Sequence, residues 1–146
     1  MAYWLVKTEP SVFSWDDLVR LGRDRWDGVR NWAALRHIAA MQPGDQALFY
    51  HTGDERQVVG VCRVVSTPYP EPGQDHPKVV VVDVEPISRL AHPVTLAAIK
   101  ADPAFAAWEL VRQSRLSVMP VPEDLWRRIQ GMGGPLALQG MDSVDG

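Results

Sequence analysis

Short apolar runs alternate with short amphipathic ones along this chain, and neither kind is long. Tyr3–Val6 (YWLV) is apolar and stops at Lys7-Thr8-Glu9-Pro10, which predicts a strand with a defined end. Ser14 followed by Asp17 in SWDDLVRL is a capping-box pattern and predicts a short helix. Asp27-Gly28 reads as a turn. Asn31 reads as the N-cap of a helix from Trp32 to about Met41, because Leu35, Ile38 and Ala39 keep i, i+3, i+4 spacing. Pro43-Gly44-Asp45 is a turn, and QALFYHT and QVVGVCRVV are strands joined as an antiparallel hairpin. STPYPEPGQDHP is a surface loop, and the β-branched run KVVVVDVEPI predicts a strand buried on both faces. VTLAAIKADPAF and AWELVRQ are helical pieces broken at Asp102-Pro103, and RLSVMPV is a short strand closed by Pro120. Pro122-Glu123-Asp124 opens a last helix through Gln130, with proline and acids in the favoured first turn.

Five or six short strands thus interleave with four or five short helices, with no internal repeat and no regular βαβ unit. The class expected is α+β: a mostly antiparallel, barrel-like sheet with short flanking helices. The domain is expected to span residues 1–130. Residues 131–146 carry no core pattern and are expected to form a flexible C-terminal tail.

The 146 residues and their 46% hydrophobic content suit one domain with one core. A net charge of -3 sets the chain apart from basic nucleic-acid coats, although a local basic patch is compatible with it. Arginines outnumber lysines by 12 to 3, and a forked guanidinium grips phosphate or carboxylate. Cys62 is the sole cysteine and reads as a buried small hydrophobe, so no disulfide forms within the chain. The N-terminal residues lack the basic start of a signal peptide, and no run approaches the ~18 apolar residues of a membrane span. A cytoplasmic protein without membrane contact is the expectation.

Catalytic signatures are missing. There is no G-x-G-x-x-G or G-x-x-x-x-G-K-[ST] phosphate cradle, no H-E-x-x-H and no G-x-S-x-G elbow. His37, His51, His76 and His92 are scattered without metal spacing. No catalytic residue, metal or cofactor is expected.

The stretch RWDGVRNWAALRHIAAM, Arg25 to Met41, carries the strongest site signal. Trp26 lies amid polar loop chemistry, where a large ring is unfavourable unless it covers something. Asn31 serves as a cap, yet its amide also has the donors and acceptor to meet a base edge.

At these residues the chain resembles the EVE domain family. YWLVKTEP, WDGVRNWAAL, FYHTG, VVGVCRVV and SRLSVMPV occur in the family's order, from about Tyr3 to Ile129. The resemblance implies a PUA-like fold, a kinship with YTH domains and a reader of modified bases in DNA or RNA. Lys7-Thr8, Trp26 and Asn31 match the YTH pattern of Lys-Ser, tryptophan and helix-opening asparagine, with Thr8 keeping the hydroxyl. Asp27 stands where YTH domains carry a small hydroxyl residue. The expected base pocket is Trp26, Asn31, Thr8, His51, Lys7 and Ser117, with Trp26 partly exposed. His51 ends the strand ALFYH, and Ser117 enters from the segment RQSRLSV, where the family's Arg-Leu-Ser motif sits. Arg25, Arg30 and Arg115 are the expected phosphate contacts. A slot of this kind relies on stacking, roughly 1–3 kcal/mol per base, with each buried methyl adding only ~0.8 kcal/mol.

Two other readings stay open on the sequence: a small enzyme acting on a nucleotide or nucleic acid, and a regulatory domain for a small ligand. No nuclease pattern accompanies the domain in this sequence, so any effector of such a reader is expected to be a separate protein. Arg20, Arg23, Arg25, Arg30 and Arg36 favour nucleic acid, whereas Asp16, Asp17, Asp24 and Asp27 are interleaved among them.

Overall fold

A computed structural model of the chain describes residues 1–134. Its main sheet has six strands in the order β2-β7-β4-β3-β1-β8, and it curls into a half-barrel. The strands are β1 (Tyr3–Thr8), β2 (Asp24–Arg25), β3 (Gln46–His51), β4 (Gln57–Val64), β7 (Asp83–Thr95) and β8 (Val118–Pro120). A separate two-stranded ribbon joins β5 (Tyr69–Pro70) to β6 (Val80–Val81). The helices are α1 (Trp15–Leu21), α2 (Trp32–Ala39), α3 (Leu96–Lys100), α4 (Glu109–Arg112) and α5 (Glu123–Gly133). α1, α3 and α5 pack against β7, and α2 packs against β8 and β6.

Every pairing in the main sheet is antiparallel except β1 with β3. A parallel pair requires a long crossover. Here residues 9–45 supply it, carrying α1, β2 and α2 from one strand to the other. The crossover is fixed at its end by Asp45. Its carboxylate accepts from Trp4 Nε1 at 3.0 Å, Gln42 N at 2.9 Å and Ala2 N at 3.0 Å. One buried acid thereby anchors the starts of both parallel strands.

The local signals behave as their chemistry requires. Ser14 and Asp17 form a reciprocal capping box on α1, and the Asn31 side chain accepts from Ala34 N at the start of α2. The core includes Trp4, Trp15, Trp26, Phe49 and the valines of β4. Trp15 and Trp26 meet Phe49 edge-on, at 5.3 Å and 5.4 Å between ring centres. Such pairs contribute about 0.5–1.5 kcal/mol each beyond the area they bury.

Three expected boundaries shift. The run expected as one strand over Lys78–Ile87 is divided: Val80–Val81 belong to the ribbon, and Asp83 opens β7 in the main sheet. β7 then continues to Thr95, beyond the expected end and into the start of a segment expected to be helical. The loop after β4 is likewise not wholly irregular, since Tyr69–Pro70 pair with Val80–Val81. At the C-terminus α5 runs through Gly133, and Met132 packs on the core, so the expected boundary at residue 130 falls inside a helix. Residues 135–146, most of the expected tail, lie outside the described residues.

Candidate functional site

β2 is short because Asp24-Arg25 pair only with Val84 and Asp83 on β7, after which Trp26 N donates to Val82 O at 2.8 Å. The chain then turns sharply. Gly28 takes φ +79°, a left-handed geometry that glycine adopts without a Cβ penalty, and the turn delivers the backbone to Asn31. The loop so formed hangs over the ends of β1 and β8, which are tied by Lys7 N donating to Ser117 O at 2.9 Å. A cleft of about 580 Å³ opens between them. Lys7, Thr8 and Glu9 line one side, Arg25 to Arg30 the other, and Phe13, Trp26 and Ser117 complete it.

Trp26 is buried rather than partly exposed as expected, with 7% of its surface accessible. Its ring packs edge-on against Phe13 as well as Phe49, at 6.2 Å and 79° for Phe13. It is a core residue one side of which borders the cleft. Thr8 Oγ1 donates to Phe13 O at 2.7 Å, so its hydroxyl retains only acceptor capacity toward a ligand. Lys7 Nζ donates to Ser114 O at 3.0 Å and lies 5.7 Å over the Tyr50 ring. Burial lowers its pKa from the ordinary 10.5. Among the described residues the Ser117 hydroxyl has no protein partner, which leaves it available in the cleft wall.

Charge in the cleft cancels. Lys7, Arg25 and Arg30 face Glu9, Asp24 and Asp27. Arg25 Nε pairs with Asp27 at 3.3 Å, and Arg30 is held by Glu71 from the loop after β5. Gly28 N also donates to Glu71, at 3.1 Å. The Arg30 guanidinium holds the Glu71 carboxyl below the usual carboxylate range. A charge-balanced hollow with aromatic walls suits a flat neutral heterocycle better than a phosphate.

Of the expected pocket, Trp26, Thr8, Lys7 and Ser117 come together, and three other expected residues do not line the cleft. His51 pairs with Thr8 in register, but its ring is buried beneath the start of α1. There Nε2 accepts from Trp15 N at 3.0 Å, and Nδ1 bonds Glu55 at 2.8 Å. Both ring nitrogens are engaged by the protein, so His51 is no wall of the cleft. Asn31, with its side-chain oxygen on Ala34 N, lines a neighbouring hollow of about 340 Å³ together with Arg112 and Arg115. Arg25 and Arg30 do line the cleft, yet each is already in an ion pair. Arg112 and Arg115 are exposed and make no ion pair among the described residues. Sequence reasoning passed over Phe13, whose position just before the Ser14 cap is that of a hydrophobic staple, and Glu71, which has no local signal at all.

Among the described residues no group of three or more His, Cys, Asp or Glu could hold a metal, and no helix is long and apolar enough to cross a membrane.

A half-barrel whose β1 and β8 ends frame an aromatic cleft places the chain in the PUA-like class. Residues 2–132 match the EVE domain model, and the chain belongs to that family. An NMR structure of a Rhodopseudomonas palustris protein is 45% identical, with a TM-score of 0.87 over 92% of this chain and 94% of its own. Human thymocyte nuclear protein 1 is 29% identical across 84% of this chain and 70% of its own. A crystal structure of the human protein in complex with 5-methylcytosine containing DNA aligns at 25% identity and a TM-score of 0.84, covering 92% and 99%. The YTH domain of Zygosaccharomyces rouxii MRB1, solved with N6-methyladenosine RNA, shares the fold at 15% identity and a TM-score of 0.58 over 92% and 87%.

Proposed function

We propose that this chain is a non-catalytic reader of a modified nucleobase in DNA or RNA, with the base held in the cleft beside Trp26. The observation that carries the reading is the cleft itself: aromatic walls, cancelled charge and an unengaged Ser117 hydroxyl, in a fold whose human relative was solved with 5-methylcytosine DNA. Trp26 and Phe13 provide the apolar surface, Ser117 donates to or accepts from the base edge, and Thr8 accepts. Lys7 reaches a base carbonyl from the floor of β1. Asn31 acts through α2, whose first turn it caps, and Arg115 with Arg112 takes the phosphate beside the cleft. Arg25 and Arg30 shape the wall through Asp27 and Glu71.

Binding rather than catalysis fits the chemistry of these groups. Among the described residues the cleft acids are engaged by neighbours, Glu9 by Ser11, Asp24 by Arg25 N and Asp27 by Arg25 Nε, and the Cys62 thiol is buried and pushed up to about 12. No nucleophile is activated there. We place the protein in the cytoplasm, acting through a separate effector protein.

One methyl in the slot supplies only about fourfold discrimination, from ~0.8 kcal/mol per buried carbon. The test is competition between short strands that differ by one modified base. Trp26→Ala removes a buried ring at about 3–5 kcal/mol, so Trp26→Phe and Ser117→Ala are the cleaner variants. Both are expected to reduce the preference while the protein stays folded. The reading fails if no modified strand outcompetes its plain counterpart, or if both variants keep the preference intact.

A further inference from the structure

A third hollow, about 830 Å³, lies against α2. Trp32, Leu35 and Arg36 of α2 form one wall, and His76, Lys78 and Val80 leading into β6 form the other. No acidic side chain lines it, in a chain whose net charge is -3. Arg36 and Lys78 are exposed, and neither makes an ion pair among the described residues. Trp32 is 48% exposed, while Trp4, Trp15, Trp26, Trp108 and Trp126 are all at 7% or below. Its ring lies 4.8 Å from that of His76. An exposed indole between two free cations is the chemistry of a base-stacking platform with phosphate contacts at its rim.

The groove and the cleft share no lining residue, but they are neighbours along the chain. Arg30 lines the cleft and Trp32 lines the groove, so at most about 7 Å of backbone separates them. That is the step from one nucleotide to the next along an extended single strand. An apolar peptide would have no use for Arg36 and Lys78, whereas a strand carries one phosphate per base.

We propose that the Trp32 groove holds the nucleotide next to the one read in the cleft, stacking its base on Trp32 and placing phosphate against Arg36 and Lys78. The proposal rests on the cleft reading for its register, but its contacts are independent of any modification. It therefore predicts affinity without selectivity, the opposite signature from Trp26.

The experiment uses the full chain and a plain hexathymidylate strand beside a strand of equal length with one modified base. Iodide quenching reads Trp32 above the five buried tryptophans. The strand is expected to shield that fraction. Trp32→Ala is expected to weaken both strands about tenfold and to leave their affinity ratio unchanged, consistent with the loss of one stacked base. The independent pair Arg36→Ala/Lys78→Ala is expected to lower the salt slope by about 1.4, two charges at ~0.7 each on a single strand. The proposal is overturned if iodide still reaches Trp32 at saturating strand, if Trp32→Ala binds both strands as the parent does, or if no strand binds. A ratio of one between modified and plain strands, with the Trp32 effects present, overturns the cleft reading instead.

Discussion

Arg30 and Glu71 meet in a two-pronged ion pair, Nη1 to Oε1 at 3.1 Å and Nη2 to Oε2 at 3.0 Å. The pair joins the loop after β2 to the loop after β5, and it holds one wall of the cleft in place. It also removes Arg30 from the set of cations free to meet phosphate.

Glu71→Gln is therefore expected to tighten plain-strand binding and steepen its salt slope by up to about 0.7, as one guanidinium becomes free. Arg30→Ala is expected to change plain-strand affinity less than twofold. The pH dependence follows from the sign of the shift. Arg30 depresses the Glu71 carboxyl below its ordinary 4.5, so the pair's contribution to stability is full above that value. It is lost as pH falls through the folded pKa. The difference in Tm between parent and Glu71→Gln should be present at neutral pH and fade in acid; a constant difference would contradict the assignment.

His51 is expected to govern stability without touching recognition. Its Nε2 accepts from a backbone N–H that can only donate, so the ring proton sits on Nδ1 and is donated to Glu55. His51→Ala orphans the Trp15 N–H at the buried start of α1, at a cost of about 1–3 kcal/mol. Chemical denaturation should register that loss. Below the unfolding transition, the ratio of modified to plain strand binding should be unchanged.

Gly60 sets the packing of the central sheet. A Cβ at that position would stand 2.7 Å from the Trp15 ring. Gly60→Ala is expected to destabilise the protein by roughly 1–3 kcal/mol as Trp15 shifts against Phe49. A denaturation midpoint equal to the parent's would show that the ring relaxes freely.

Local chemistry was legible in the chain because it acts over three or four residues. The Ser14–Asp17 box, the Asn31 cap, the Asp27-Gly28 turn and the hairpin from Gln46 to Val64 follow from neighbours in sequence. The length of β7 did not follow: the strand expected from the β-branched run stops at Ile87, whereas β7 runs through Pro86 and Pro93 to Thr95. In the fold Pro86 sits at a register shift opposite Cys62, and Pro93 sits where Arg89 to Val94 bulge past Val59, positions where a missing N–H breaks no regular ladder. The site was legible as residue types but not as partners. Lys7 and Ser117 converge through β1–β8 pairing, 110 residues apart, whereas Arg30 and His51 carry suitable groups that Glu71 and Trp15 already occupy. Hydrogen-bond satisfaction is a tertiary property, and a single sequence does not display it.

Cys62 is the chain's sole cysteine, wholly buried on β4, and its thiol stays protonated at neutral pH. A protonated, enclosed thiol neither alkylates nor exchanges. The native protein is thus silent toward maleimides and iodoacetamide. A cysteine introduced on the exposed cleft rim, as in Asp27→Cys, would react alone, so one dye or spin label could follow strand capture with no background site to remove.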